Sequence, residues 1–175
     1  MSTTLPRLTL VLGGARSGKS RFAEDLVTAF PAPWHYLATG EALDEEMAER
    51  IAHHAARRGP GWVTQEVPLE LAEAIRAPEV SSRPILIDCL TLWLSNVMAS
   101  GRDVEGESAR LVAALHSSAG PIVAVSNEVG LGIVPDNALA RAFRDSQGRL
   151  NAAVAAAADT VVLMAAGLPL TLKKA

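Results

Sequence analysis

The sequence predicts an α/β fold, a mostly parallel sheet with helices on both faces. Three observations predict it. Short runs that are apolar throughout, rather than alternating, recur along the chain, as at Leu8–Leu12 and Pro84–Ile87. A strand of that kind hides both faces, which is the habit of parallel sheets. Longer stretches with helical patterning separate these runs, so strand and helix alternate. The length of 175 residues suits a single domain, residues 1–175, with room for a core.

Each element follows from local chemistry. Leu8 to Leu12 reads as the first strand, and the glycine-rich turn Gly13 to Gly18 follows it. Lys19 to Phe30 reads as a helix, stopped by Pro31 and Pro33, which lack the N–H that a helix interior needs. Trp34 to Ala38 is a second short strand. Residues 44–58 carry a strong helical pattern that ends at Gly59-Pro60. Trp62 to Glu66 reads as a strand, and Leu69 to Ala77 as a short helix. Pro84 to Asp88 is an apolar strand with an acid at its carboxyl end. Thr91 to Ala99 begins the next helix, and residues 100–107, rich in Gly and charge, read as a loop. Glu107 to Ser117 is helical, Ile122 to Ser126 a strand, and Ala138 to Ala158 a long Ala-rich helix. Thr160 to Met164 is a late strand, with Leu168 to Leu172 a short edge strand. No internal repeat, linker or second-domain boundary interrupts the pattern.

Composition narrows the class. Hydrophobic residues make up 49% and charged residues 20%, a globular balance. Aromatics are only 4%, so Ala, Val, Leu and Ile must build the core. A net charge of -3 supplies no basic surplus for nonspecific nucleic-acid binding. One cysteine, Cys89, permits no intrachain disulfide, which suits a reducing cytoplasm. Met1 to Arg7 lacks the apolar stretch of a signal peptide, and no run approaches the roughly 20 residues that span a bilayer. The expectation is a soluble cytoplasmic protein with no membrane span and no nucleic-acid partner.

The segment Gly13-Gly14-Ala15-Arg16-Ser17-Gly18-Lys19-Ser20 fits G-x-x-x-x-G-K-[ST] in full, with an apolar strand before it and a helix after it. Its glycines let backbone N–H groups wrap phosphate oxygens, and the helix N-terminus adds partial positive charge. Lys19 is placed to reach the β and γ phosphates of ATP or GTP, and Ser20 to offer a hydroxyl to Mg²⁺. The fold class is therefore a P-loop NTPase of the RecA-like kind. Asp88, at the end of its strand, reads either as the second magnesium anchor or as a cap on the helix that follows.

The helix at 44–58 repays a helical wheel. Leu43, Met47 and Ile51 follow an i, i+4, i+8 stripe, and His54 falls on it three residues after Ile51. His53 falls away from the stripe, one turn beyond Glu49, and Arg58 lies one turn after His54. Asp44, Glu45 and Glu46 suit the helix N-terminus. A neutral imidazole at His54 can attack an α-phosphorus and form a phosphoramidate. The alternative is a satisfied, half-buried histidine.

Four blocks together resemble the bifunctional adenosylcobinamide kinase / adenosylcobinamide-phosphate guanylyltransferase family. They are Gly13 to Arg21, Asp44 to His54, Ser126 to Pro135, and Phe143-Arg144-Asp145 with Gly148-Arg149-Leu150-Asn151. The resemblance runs from about Leu8 to Lys173. The P-loop is shared with many NTPases, whereas the His-His helix and the Asn-Glu-Val-Gly block are far more specific. The resemblance implies two reactions. ATP or GTP phosphorylates the aminopropanol hydroxyl of adenosylcobinamide; GMP from GTP is then transferred to that phosphate through a guanylylated histidine. The second histidine of the pair carries over to His54, with His53 as fallback. Nucleotide contacts carry over to Gly13, Gly14, Ala15, Arg16, Ser17, Gly18, Lys19 and Ser20, to Ala38, Thr39 and Gly40, to Ala55, Ala56, Arg57 and Arg58, and to Glu66 and Asp88. Mg²⁺ is implied as cofactor, held by Ser20 and Asp88, where some family members have Glu in place of Asp. The resemblance also implies a homo-oligomer, a trimer, with part of the site shared between neighbours.

Other residues stay open. Asn127 and Glu128 close a strand on the P-loop edge, and either orient ligand or stabilise a glycine-rich turn. Arg141, Arg144 and Arg149 either meet phosphates or a neighbouring subunit, or form a solvated helix face. Trp34, Trp62 and Trp93 read as core rather than as a platform for a corrin ring. Two rivals to the bifunctional reading remain: a plain small-molecule kinase with structural histidines, and a non-enzymatic nucleotide switch.

Overall fold

A computed structural model describes residues 6–41, 45, 49 and 58–174. Its strands are β1 (Leu8–Gly13), β2 (Trp34–Ala38), β3 (Trp62–Glu66), β4 (Ile85–Asp88), β5 (Ile122–Asn127), β6 (Thr160–Ala165) and β7 (Leu168–Lys174). They form one sheet in the order β3-β2-β4-β5-β1-β6-β7. All neighbours run parallel except β7, which returns antiparallel along β6. The described helices are α1 (Lys19–Thr28), α2 (Leu71–Arg76), α3 (Pro78–Ser81), α4 (Leu90–Ala99), α5 (Val104–Ser117) and α6 (Ala138–Ala157).

Strands that are apolar throughout are explained by the two faces they serve. Along β1, Leu8, Leu10 and Leu12 join one core cluster and Val11 the other. Along β4, Ile85 and Ile87 face one way and Leu86 the other. This is the period-two alternation of a strand with both faces covered. Ala23 and Val27 of α1 pack on one face, and residues from α2 through α6, such as Ile75, Trp93, Leu111 and Val154, pack on the other. Each fully buried Leu, Ile or Val contributes roughly 1.5–3 kcal/mol of transfer free energy.

The structure corrects three boundaries. The helix expected from Glu107 starts at Val104, because Asp103 caps it by accepting the Glu105 amide at 3.2 Å. The second half of the expected 100–107 loop is therefore helix. The helix expected over Leu69 to Ala77 is shorter, and a second turn, α3, follows it. Ala77 sits between them with ψ 129, as a residue before proline prefers, and Pro78 opens α3. Helix α1 ends at Thr28, short of Phe30.

The arrangement gathers strand ends. Gly13 is paired with Asn127, and Ala38 with both Asp88 and Glu66. The carboxyl edge of the sheet thus presents the P-loop, Asn127, Asp88 and Glu66 along one rim, where ligands of open α/β sheets bind. Strand β5 lies between the P-loop strand β1 and the acid-bearing strand β4.

Candidate nucleotide-binding site

The P-loop starts from a buried Gly13. A Cβ there would come within 2.4 Å of Ser17 Oγ and 2.8 Å of the Met164 carbonyl oxygen. Gly18 has φ 92, in the left-handed region that glycine enters without steric cost. Arg16 also has a positive φ of 55 and is exposed. The Ser17 amide donates to the Gly14 carbonyl at 3.4 Å, and the Phe22 amide to the Gly18 carbonyl at 3.0 Å.

The next helix leaves its N-terminus available. Gly18 supplies no side-chain cap to α1, and its first turn carries no acid. The first-turn amides of a helix lack intrahelical partners, and here no carboxylate competes for them, so an anion is the fitting partner. The buried Ser17 Oγ has no hydrogen-bond partner among the described residues, and is a second polar group in the loop suited to a phosphate oxygen. Lys19 Nζ lies across the loop and donates to the Gly14 carbonyl at 3.0 Å.

One feature of the loop was not legible in the sequence. The β6–β7 turn braces it: the Gly167 amide donates to the Ser17 carbonyl at 3.1 Å. Ala166 and Gly167 both have positive φ, 51 and 79. The Ala-Gly pair is a turn signal, but nothing local says which loop it meets.

Asp88 is half-buried at the end of β4, and its Oδ2 accepts the Tyr36 hydroxyl proton at 3.1 Å. Burial, and next the Asp88 charge, push the Tyr36 hydroxyl well above its ordinary range, so it remains a donor. The face of the Tyr36 ring carries Arg58, whose guanidinium carbon lies 3.8 Å from the ring centroid. Trp62 meets that ring edge-on at 5.8 Å, and Trp34 lies 5.4 Å from Trp62. Trp93 is core, as the sequence suggests, with Nε1 donating to the Leu69 carbonyl at 2.9 Å.

Thr39 is fully buried, and its hydroxyl is committed within the protein. It donates to the Cys89 carbonyl at 2.7 Å and accepts from the Cys89 amide at 2.9 Å. Asn96 Nδ2 donates to the Thr39 carbonyl at 2.8 Å and to the Pro68 carbonyl at 3.1 Å. These bonds lock the end of β2 to the residue after Asp88. Ala38 and Gly40 are half-buried beside it, and Glu66 is exposed at the end of β3. Of the histidine helix, Glu45 and Glu49 are helical and exposed. His53, His54, Ala55, Ala56 and Arg57 lie outside the described residues.

Behind Asn127 is a buried polar network. Ser126 Oγ donates to Asn151 Oδ1 at 2.7 Å, and Gln147 Nε2 donates to both at 2.9 Å. Asn151 Nδ2 donates to the Asn127 carbonyl at 3.0 Å, and Thr91 Oγ1 accepts the Asn127 amide at 2.8 Å. Glu128 Oε1 accepts the Gly130 amide at 2.6 Å, which fixes the turn that follows. The arginines of the next helix serve local structure. Arg141 donates to the Pro135 and Asp136 carbonyls, Arg144 meets Asp145 at 3.3 Å, and Arg149 donates to Ser146 at 3.2 Å.

The site offers hard oxygen donors for a divalent cation: the Ser20 hydroxyl in the first turn of α1 and the Asp88 carboxylate. Among the described residues no cluster of three or more His, Cys, Asp or Glu could hold a metal. One carboxylate, one hydroxyl and substrate phosphates are the donor set Mg²⁺ commonly takes. No described helix is long and apolar enough to cross a membrane.

Comparison with known proteins bears on both chemistry and fold. Residues 9–172 match the model of the family described as cobinamide kinase / cobinamide phosphate guanyltransferase. The chain is 45% identical over 166 residues to the bifunctional adenosylcobalamin biosynthesis protein CobP of Pseudomonas aeruginosa, covering 94% of this chain and 96% of that protein. It is 41% identical over 181 residues to the bifunctional adenosylcobalamin biosynthesis protein CobU of Salmonella typhimurium, covering 95% and 99%. Among solved structures it resembles the flagellar accessory protein FlaH of Methanocaldococcus jannaschii, with TM-score 0.58 at 14% identity, covering 99% of this chain and 81% of that one. An ATPase from the type III secretion system of pathogenic bacteria superposes with TM-score 0.56 at 14% identity, covering 91% and 51%. At such identities the structural likeness speaks for the RecA-like α/β fold alone.

Proposed function

Because the chain belongs to the cobinamide kinase / cobinamide phosphate guanyltransferase family, we propose that its single P-loop serves both of that family's reactions, with His54 as the covalent carrier. The protein is a bifunctional enzyme of adenosylcobalamin biosynthesis: it phosphorylates adenosylcobinamide, then transfers GMP from GTP to the product. The observation that carries the proposal is the uncapped, acid-free N-terminus of α1 beside the P-loop, a ready anion cradle on the same rim as Asp88.

In the kinase step, the loop amides and Lys19 hold the triphosphate of ATP or GTP. The corrinoid hydroxyl oxygen attacks the γ-phosphorus and gives up its proton to solvent, the bond to the β,γ-bridging oxygen breaks, and the nucleoside diphosphate leaves. Ser20 and Asp88 would hold Mg²⁺, which neutralises phosphate charge when bound. In the second step, an imidazole nitrogen of His54 attacks the α-phosphorus of GTP and pyrophosphate leaves. An oxygen of the corrinoid phosphate then attacks that phosphorus, the P–N bond breaks, and the neutral imidazole returns. Arg58 offers charge to the α-phosphate. His53 is the fallback carrier. The remaining contacts are taken at Gly13 to Ser20, Ala38 to Gly40, Ala55 to Arg58, and Glu66, with Thr39 acting through its backbone.

The enzyme works in the cytoplasm as a homo-oligomer, a trimer. Exposed apolar side chains at Leu131, Ile133 and Leu139 support self-association, and sedimentation velocity tests it.

The experiment is incubation with α-labelled GTP followed by peptide mass spectrometry. GMP is expected on the peptide containing His54, with none in His54→Ala. In His54→Ala, labelled pyrophosphate exchange and the corrinoid GDP adduct should vanish while the corrinoid phosphate product is kept. A label retained in His54→Ala and lost in His53→Ala would move the role to His53. No label in either wild type or variants would overturn covalent transfer.

A further inference from the structure

Tyr36 is a buried tyrosine on β2 that no sequence motif singled out, and both ends of its side chain are engaged. The hydroxyl donates to Asp88 Oδ2 at 3.1 Å, and the ring face seats the Arg58 guanidinium at 3.8 Å. Trp62 closes one ring edge, and the side chain is 4% exposed, so the ring has little freedom. Asp88 is the acid assigned to magnesium above. Arg58 ends the segment that carries His54. One rigid side chain therefore touches a group from each of the two chemistries.

We propose that Tyr36 is a positioning residue with two separable duties: its hydroxyl orients the Asp88 carboxylate for the phosphate-bound cation, and its ring holds Arg58 for guanylyl transfer. This rests on the roles of Asp88 and Arg58 given under Proposed function. Asp88 has two carboxylate oxygens. A hydroxyl bond to Oδ2 restrains the group and leaves Oδ1 uncommitted to it. Arg58 precedes an exposed Gly59-Pro60 turn, where a long side chain otherwise samples many rotamers. Stacking on a fixed ring removes that freedom and directs the planar fork, which a lysine cannot reproduce.

The test separates the duties. Tyr36→Phe keeps the ring and removes the hydroxyl. Tyr36→Leu removes both. Arg58→Lys keeps the charge and loses the planar stack. Two readouts are taken: affinity for a non-hydrolysable GTP analogue by calorimetry, in Mg²⁺ and in EDTA, and the rate of GMP-protein formation by intact mass. Tyr36→Phe is expected to weaken binding about tenfold in Mg²⁺ and not in EDTA, the scale of one hydrogen bond to a charged group. Its rate of GMP-protein formation at saturating Mg²⁺ stays within about threefold of wild type, whereas Tyr36→Leu and Arg58→Lys fall by about tenfold or more, the scale of a desolvated cation–π contact. Equal loss of affinity with and without Mg²⁺ in Tyr36→Phe would overturn the hydroxyl's duty. A Tyr36→Leu rate equal to that of Tyr36→Phe, or an Arg58→Lys rate equal to wild type, would overturn the ring's duty. Failure of the parent reading looks different: wild type itself would form no GMP-protein, or bind the analogue equally in Mg²⁺ and EDTA.

Discussion

At Gly13 the space for a side chain is already taken. A methyl group there would press on Ser17 Oγ at 2.4 Å and on the Met164 carbonyl oxygen at 2.8 Å. Ser17 can rotate away, but the backbone oxygen of β6 cannot move without disturbing the sheet. Gly13→Ala is therefore expected to cost about 1–3 kcal/mol of stability and to weaken nucleotide binding more than tenfold. Thermal unfolding and calorimetry check the two parts. Cys89 makes a different case. Burial first, then the Asp88 charge, push its thiol up to about 11. The raised value means the folded state holds the thiol proton more tightly than the unfolded chain does. Its contribution to stability is thus complete below the unfolded pKa near 9 and declines as pH rises from about 9 toward about 11. Iodoacetamide at pH 8 should leave Cys89 unmodified in the native protein and label it in urea. Rapid native labelling would show that the site opens without unfolding.

Among the elements, β5 and α6 are joined by a polar cluster rather than by apolar packing alone. Asn151 is 6% exposed and bonds Ser126, Gln147 and the Asn127 carbonyl. Truncating it strands several buried groups at once, each costing about 1–3 kcal/mol if left unpaired. Asn151→Ala is expected to destabilise by about that much or more, and to lower both transfer rates by releasing Asn127 on the ligand rim. Chemical denaturation and single-turnover assays read this out. A destabilised variant with unchanged single-turnover rates would make the cluster purely structural. Because the cluster couples its members, double variants with Ser126→Ala should be clearly non-additive.

Across the molecule, what the sequence revealed and what it withheld divide by distance. The strands and the P-loop were legible because their signals are local: apolar runs, a glycine spacing, a lysine and serine in register. Asp88 was legible as an acid ending an apolar run. Thr39 follows β2 at the rim, but its hydroxyl faces Cys89, fifty residues away in the chain, and no local pattern announces that. Tyr36 and Asn96 carry no local signal for the same reason, since Tyr36 meets Asp88 and Asn96 meets Thr39 only after β2 and β4 pair. In the 100–107 segment Gly and charge look like loop throughout, whereas Asp103 is a cap and Glu105 and Glu107 favour the helix start at Val104.

The order of the strands has a consequence for the timing of synthesis. Among the described strands β1 leaves the ribosome first, yet its two neighbours are β5 and β6, which begin at residues 122 and 160. A nascent chain that stops short of β5 has its phosphate loop translated but no strand on either side of it. The loop's brace at Gly167 arrives later still. Closing contacts of such long sequence separation is slow and comes late in folding. GTP therefore cannot act as an early folding template for this chain; it meets a competent cradle only when the last strands have docked.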